Sequence, residues 1–349
     1  MKSVIENKIR LEYIDHLKGF AIFLMVMGHF LAWSTPFEYN FNDPNIMFVW
    51  NLIYSFHMPL FFFISGYLIN LNKKEWNTER RLYIIKRRLK TLILPSITFL
   101  IIRYLIIGVW EFDWFIISLF WIYCFFLISN ILSSLFNNVK YEILIHCIIF
   151  IILSALSKII HNDLFEFLEI RNSVLNYPYF VLGYFVCKFS FDTYIKEKNY
   201  VYSIALLLFV ILFYIRNYKP YNLNLLYPFP FYCLKYPLAI CGIIICWKYA
   251  TDYIPNNRIS NYFNILGKNS LSVYLLSRYI IPWYPELGNY FVTSNIYTSS
   301  FASDYSHVTS IFTQLISGIF FTTIVCMICL FMKSIIRKSK FWNLIMFGE

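Results

Sequence analysis

Long apolar runs separated by short polar breaks dominate the chain. A helix that crosses the hydrocarbon of a bilayer needs about 20 mostly apolar residues. Ten stretches read that way, at roughly 17–34, 46–70, 91–109, 114–136, 142–160, 173–190, 200–216, 228–249, 264–282 and 309–332. The pattern predicts an all-α, polytopic membrane protein with about ten transmembrane helices. The first run has no small-residue cleavage site after it, so it reads as a retained helix rather than a removable signal. No internal repeat, Gly-Ser linker or low-complexity tract interrupts the series, and the tail after the last run is short. The expectation is one membrane-embedded domain over 1–349, with no appended soluble domain.

Composition agrees. Hydrophobic residues make up 59% of the 349, charged residues 14% and aromatic residues 21%, and the mean hydropathy is +0.58. A soluble domain carries about a quarter charged residues. A disordered chain, a soluble two-domain enzyme and a nucleic-acid-binding module are excluded, so the formal charge of +11 bears on topology. Basic residues collect in cytoplasmic loops and fix orientation. With the N-terminus inside, inner segments hold twenty-two Lys and Arg, including Lys73, Lys74, Arg80, Arg81, Lys86, Arg87, Arg88 and Lys90 in one loop. Outer segments hold four: Lys158, Arg171, Arg216 and Lys219. Both termini are therefore expected in the cytoplasm, and the outer loops carry acids such as Glu38, Asp43, Glu286 and Asp304. All eight cysteines lie in apolar stretches. No disulfide framework is expected, and the Cys326-x-x-Cys329 pair reads as small buried hydrophobes rather than a redox or metal site.

Four basic residues remain inside or at the edges of spans: Lys18, Arg103, Lys235 and Arg278. Charge within a bilayer costs about 2.5–3.5 kcal/mol on insertion scales, so such residues default to functional hypotheses. Snorkelling toward an interface fits Lys18 and Arg103 better than Lys235 and Arg278. On the first span, a step of 100° per residue puts Asp15, Lys18 and His29 on one face. Lys18 and His29 are separated by about 16 Å of helix, so they cannot touch. A polar stripe on an apolar helix should face a protein-lined cavity. The second span contains Phe56-His57-Met58-Pro59-Leu60-Phe61-Phe62-Phe63-Ile64-Ser65-Gly66-Tyr67. Pro59 removes a helical hydrogen bond near His57, and Ser65-Gly66 permits close helix packing.

At these residues the chain resembles the integral-membrane acyltransferase 3 family. The family pattern of an Arg, ten residues and a His is matched by Lys18 and His29, with Lys in place of Arg. The Phe56–Tyr67 segment resembles the family's second-span motif. Within Lys86-Arg87-Arg88-Leu89-Lys90, Arg87 and Lys90 match an Arg-x-x-Arg with Lys at its second position. Trp114-Phe115, Tyr179-Phe180 with Gly183-Tyr184, and Gly267-Lys268-Asn269-Ser270-Leu271 with Tyr274 are weaker echoes. Many members have a His after the last of these; here Ser277 and Arg278 stand there, which departs from the pattern. The likeness is closest to the sugar O-acetylase branch.

The resemblance implies an O-acyltransferase of the plasma membrane. It would move an acyl group, usually acetyl, from cytoplasmic acyl-CoA to a hydroxyl of a cell-surface or exported carbohydrate. Acyl-CoA would be a co-substrate, with no metal, and the partners would be the lipid bilayer, acyl-CoA and the carbohydrate acceptor. Such transfer needs a base for the hydroxyl proton and donors for the developing oxyanion. His29 is the candidate base or transient acyl carrier, because imidazole titrates near working pH. His57 is a candidate oxyanion donor, and Lys18 and Asp15 complete the catalytic set. Arg87, Arg88, Lys90, Ser65 and Tyr67 are the candidates for binding acyl-CoA, whose phosphates suit Arg and Lys. Positive-inside charge explains Lys73, Lys74, Arg80 and Arg81 of the same loop fully, and accounts for Arg87 and Arg88 as well as acyl-CoA binding does. Trp33, Trp114 and Arg278 are candidate acceptor-binding residues, although aromatic belts account for Trp33, Tyr39, Trp110 and Trp114 equally well. The competing reading is a transporter or flippase for a lipid-linked saccharide. Such proteins often show inverted repeats and paired broken helices, neither of which is evident.

Overall fold

The computed structural model describes residues 2–33, 48–71, 75–136, 138–160, 163–217, 232–252, 257–281 and 307–349. Every element among them is helical. Glu38, Tyr39, Asp43, Lys73, Lys74, Lys219, Glu286 and Asp304, and the side chains of Trp33 and Cys233, lie outside the described residues.

Seven helical stretches among these residues are long and apolar enough to cross a membrane: Glu12–Ala32, Phe48–Asn70, Thr78–Ile106, Trp114–Ser133, Val139–Ile159, Asn199–Arg216 and Leu315–Ile336. The chain is an all-helical, multi-pass membrane protein. The other three expected spans differ for physical reasons. Run 173–190 falls on one helix, Ile170–Lys188, but that helix is diluted by buried Ser173, Asn176 and three tyrosines. Run 228–249 falls on Tyr232–Asp252, which carries Lys235 and Lys248. Run 264–282 is split: a helix Arg258–Lys268 ends in a turn at Asn269, and Ser270–Ile280 begins anew. The Asn269 amide donates to the Ile265 carbonyl at 2.7 Å, closing the first helix from its own side chain.

The described residues form two compact units, and the second long helix contributes to both. The first unit holds α1 (Lys2–Trp33), the first part of α2 (Phe48–Asn70), and most of the chain from Asp192 to Lys333. At its centre α1 crosses the Arg258–Lys268 helix backbone to backbone. A Cβ on Gly19 would overlap the Phe263 carbonyl, and one on Gly267 would overlap the Asp15 carbonyl. Small residues permit such approach in membranes. Phe263 then packs on His16, Phe20 and Phe23, with ring centroids 5.3, 6.1 and 5.6 Å apart. The helices Asn199–Asn217 and Tyr232–Asp252 pack as a hairpin through buried Phe209, Phe213, Leu238 and Cys241, and Phe56 of α2 lies against that cluster. On His307–Ile336, Cys326 and Cys329 are buried.

The second unit contains α3 (Thr78–Arg88), a π-helical turn over Leu89–Ile93, and α4 (Leu94–Ile107). It also contains α5 (Trp114–Ser133), α6 (Val139–Ile159), α7 (Asp163–Phe167), α8 (Ile170–Lys188) and the C-terminal helix Lys340–Phe347. Here α2 and α8 cross closely: a Cβ on Gly66 would overlap the Phe180 carbonyl, and one on Gly183 the Phe63 carbonyl. Buried polar groups tie α5, α6 and α8 together. Ser129 donates to the Phe125 carbonyl at 2.9 Å. Its oxygen therefore accepts from Tyr177 at 2.8 Å, and Tyr177 accepts from His146 Nδ1 at 2.7 Å. One turn along α6, Glu142 accepts from Tyr184 at 2.7 Å and pairs with Lys188. His146 Nε2 is the one atom of this network buried without a hydrogen-bond partner.

Arg103 does not snorkel. Its side chain is 4% exposed and its guanidinium meets Asp113 at 2.9 Å and the Glu111 carbonyl at 2.9 Å, tying the segment after α4 back to that helix. By contrast α6 presents most of its surface outward, with only 11% of its apolar window buried. Its exposed residues include Ile143, Leu144, Ile148, Ile151 and Ile152, the composition expected of a face toward lipid.

Candidate functional site

In the first unit, His29 sits on α1 directly after Gly28. A Cβ on Gly28 would come within 2.7 Å of the Tyr54 ring, so the glycine lets α2 close on α1 beside His29. Tyr54 packs edge-on to His57, with centroids 4.8 Å apart, and stacks on Trp50 at 4.1 Å. Trp50, Tyr54 and His57 follow a 4-then-3 spacing, which places them on one helix face. His57 and Arg278 both lie within electrostatic reach of His29. The structure thus brings together three residues singled out from the sequence, from three helices, and adds Trp50 and Tyr54. The signal for those two was present in the 50–54–57 periodicity.

The crossing of Gly19 and Gly267 explains how Arg278 arrives there. Ten residues beyond Gly19 the chain reaches His29, and eleven beyond Gly267 it reaches Arg278. The turn at Asn269 separates Gly267 from the helix Ser270–Ile280 that carries Arg278, so the level of Arg278 follows from the contact and from that turn together. Ser277 is fully buried and donates to the Tyr274 carbonyl at 3.2 Å.

His57 is buried, and its Nδ1 lies 2.7 Å from the Ile53 carbonyl. A carbonyl only accepts, so Nδ1 carries the proton, and in the neutral ring Nε2 is an acceptor. His57 can therefore donate to an oxyanion only as imidazolium, whereas it can accept a proton as it stands. Lys18 and Asp15 pair with each other at 3.6 Å, both partly exposed. They lie along α1 from His29, as their spacing requires.

The second unit holds the acyl-CoA candidates. The π-helical turn after α3 inserts one residue per turn and so re-aims the side chains around it. Arg88 turns inward, its guanidinium 4.2 Å from the centre of the Tyr123 ring, while Arg87 and Lys90 are exposed. Ser65 hydrogen-bonds to Tyr123, and Arg87 acts on the same phenol electrostatically. Tyr67 is fully buried beside the Gly66–Gly183 crossing. Trp114, at the start of α5, belongs to this unit and packs on Phe115 with centroids 6.2 Å apart. Tyr123, which ties Ser65 to Arg88, was not legible in the sequence, since one tyrosine among 29 carries no spacing signal.

Positive-inside charge does not exhaust Arg80 and Arg81. Arg80 donates to the Ile69 carbonyl at 2.7 Å, in the last turn of α2, and Arg81 to the Asn130 side chain at 3.0 Å, near the end of α5. Cations at helix C-termini satisfy carbonyls that the helix leaves open.

No curated protein and no solved structure shows significant similarity to the chain. A family model described as an acyltransferase domain matches residues 11–331, a range that includes the motifs at 18–29, 56–67 and 86–90 and both glycine crossings. With that match, the paired histidines and the intramembrane basic residues have one common setting: the chain belongs to the acyltransferase 3 family and is a membrane acyltransferase.

Proposed function

We propose that the protein transfers an acetyl group from cytoplasmic acyl-CoA to a hydroxyl of a cell-surface or exported carbohydrate. In this reading the chain sits in the plasma membrane, crosses it ten times and keeps both termini in the cytoplasm, as the distribution of Lys and Arg supports. The convergence of His29 and His57 carries the proposal. A sugar hydroxyl is a poor nucleophile until a base takes its proton, and His29 is that base. The hydroxyl oxygen attacks the acyl carbonyl, the thioester C–S bond breaks, and the thiolate of CoA leaves. His57, with Nε2 as an acceptor, receives the proton from His29 or orients the hydroxyl. Arg278 supplies positive charge beside the developing oxyanion. Trp50 and Tyr54 give the sugar a flat apolar surface. Arg88 with Arg87 and Lys90 binds the phosphates of acyl-CoA. Family membership favours this reading over a saccharide transporter.

The test compares O-acetyl esters on the surface polysaccharide of cells carrying the native protein and His29→Ala at matched membrane levels. Esters are expected to disappear while the polymer is still exported. Unchanged acetylation would remove His29 as the base, and failed export would bring the transporter forward.

A further inference from the structure

In the topology proposed above, the cytoplasmic end of the second unit carries side chains that acyl transfer does not use. On α3 a step of 100° per residue puts Leu82, Tyr83 and Lys86 within an arc of about 100°, and all three are exposed. Arg81 and Arg88 lie on the opposite side of the helix, where Arg81 reaches Asn130 and Arg88 reaches Tyr123. So α3 meets the protein with one face and turns two large apolar side chains and a cation outward. The C-terminal helix lies against the same segment. Thr98 of α4 donates to the Ile345 carbonyl at 2.8 Å, and Phe347 is buried. Gly348, at φ +69°, sits so close to the π-helical turn that a Cβ would come within 2.4 Å of the Lys90 carbonyl. The first turn of this helix leaves Lys340, Phe341 and Trp342 exposed, and exposed Arg337 and Lys338 precede it. The cations flank the Gly348–Lys90 contact: Lys86 lies about 6 Å of helix before Lys90, and Lys340 about 12 Å before Gly348.

Every Asp and Glu of this unit lies among the described residues. None of them pairs with Lys86, Arg337, Lys338 or Lys340. Glu142 is held by Lys188 and Tyr184, while Glu111, Asp113 and the acids of α7 lie at the far ends of α5 and α6. Large apolar side chains set among cations are what a helix at a lipid interface presents. A basic cluster beside the cytoplasmic end of a transmembrane helix attracts anionic headgroups. A soluble nucleotide would match the charge but leave Leu82, Phe341 and Trp342 in water, and these cations are spread more widely than one phosphate can touch.

We propose that this surface binds anionic phospholipids of the cytoplasmic leaflet through Lys86, Arg337, Lys338 and Lys340, with Leu82, Tyr83, Phe341 and Trp342 seated at the acyl boundary. Arg87 and Lys90, assigned above to acyl-CoA, stand outside this set, and the site does not depend on the acceptor or on His29. The test uses the full chain in detergent micelles with pyrene-labelled phosphatidylglycerol or phosphatidylcholine of identical chains, read by energy transfer from tryptophan. Phosphatidylglycerol is expected to bind about ten-fold tighter. The preference should vanish in the variant Lys86→Gln, Arg337→Gln, Lys338→Gln, Lys340→Gln. It should survive in Lys86→Arg, Lys338→Arg, Lys340→Arg, which keeps the charge and controls for folding. It should also survive in Lys140→Gln, Lys196→Gln, Lys198→Gln, Lys268→Gln, which removes the same charge from elsewhere on the cytoplasmic side. Equal binding of the two lipids, or a preference that the first variant keeps, would overturn the site. Equal loss in the last variant would reduce the effect to net charge and overturn it too. Displacement of phosphatidylglycerol from the native protein by acetyl-CoA would assign the cations to the co-substrate instead, and would likewise overturn it.

Discussion

At the scale of single residues, burial and partners separate side chains that look equivalent in the sequence. Arg87, Arg88 and Lys90 belong to one basic run, yet only Arg88 turns in to stack on Tyr123. If Arg88 orders acyl-CoA, Arg88→Ala should raise the KM for acyl-CoA about ten-fold, the equivalent of one lost charge-assisted contact. Arg88→Lys should recover part of that loss, because it restores charge without the planar stacking group. Steady-state kinetics in nanodiscs at equal protein content would decide: a changed protein yield with an unchanged KM would assign Arg88 to structure alone. His29 and His57 were visible as intramembrane histidines, and the electrostatic reach of one to the other fits that reading. The tautomer of His57 was not visible, because it depends on the Ile53 carbonyl at 2.7 Å.

At the scale of elements, two motifs that appear separately in the sequence are the halves of single contacts. Ser65-Gly66-Tyr67 and Gly183-Tyr184 meet where α2 crosses α8; Lys18-Gly19 and Gly267-Lys268 meet where α1 crosses the Arg258–Lys268 helix. Hydropathy reports none of this, since it records how apolar a run is and not how close its backbone comes to another. The same limit explains the expected span at 264–282, where an apolar average conceals the turn at Asn269. Gly66→Ala should cost about 1–3 kcal/mol, the usual penalty for an added methyl in a packed interior. Thermal unfolding in detergent, followed by size-exclusion chromatography, would measure it. Gly318→Ala meets only the flexible Met27 side chain, nearest at its terminal methyl, and should cost less; equal losses at both sites would argue against a backbone-limited crossing at Gly66.

At the scale of the whole molecule, topology turns on three helical segments. Seven stretches are long and apolar enough to cross. A total of ten requires Ile170–Lys188, Tyr232–Asp252 and the pair of helices broken at Asn269 all to cross as well, and an even total, with both ends in the cytoplasm, requires one or all three of them to do so. Alkaline phosphatase and fluorescent-protein fusions at the C-terminus read this directly: fluorescence without phosphatase activity is expected, and the reverse would mean an odd count. The sequence foretold this architecture in the coarse sense because lipid exposure demands continuous apolar surface, as on α6. It was less informative where helices bury polar groups against one another, as with Glu142, Tyr184 and Lys188, because there polarity faces inward. The contact of Gly19 with Gly267 has one more consequence. It works as a fulcrum: whatever displaces the two backbones there is carried along α1 to His29 and, through the turn at Asn269, to the helix that bears Arg278. Alleles altered at either glycine would then resemble active-site alleles in a genetic screen, although neither position lies near the reacting groups.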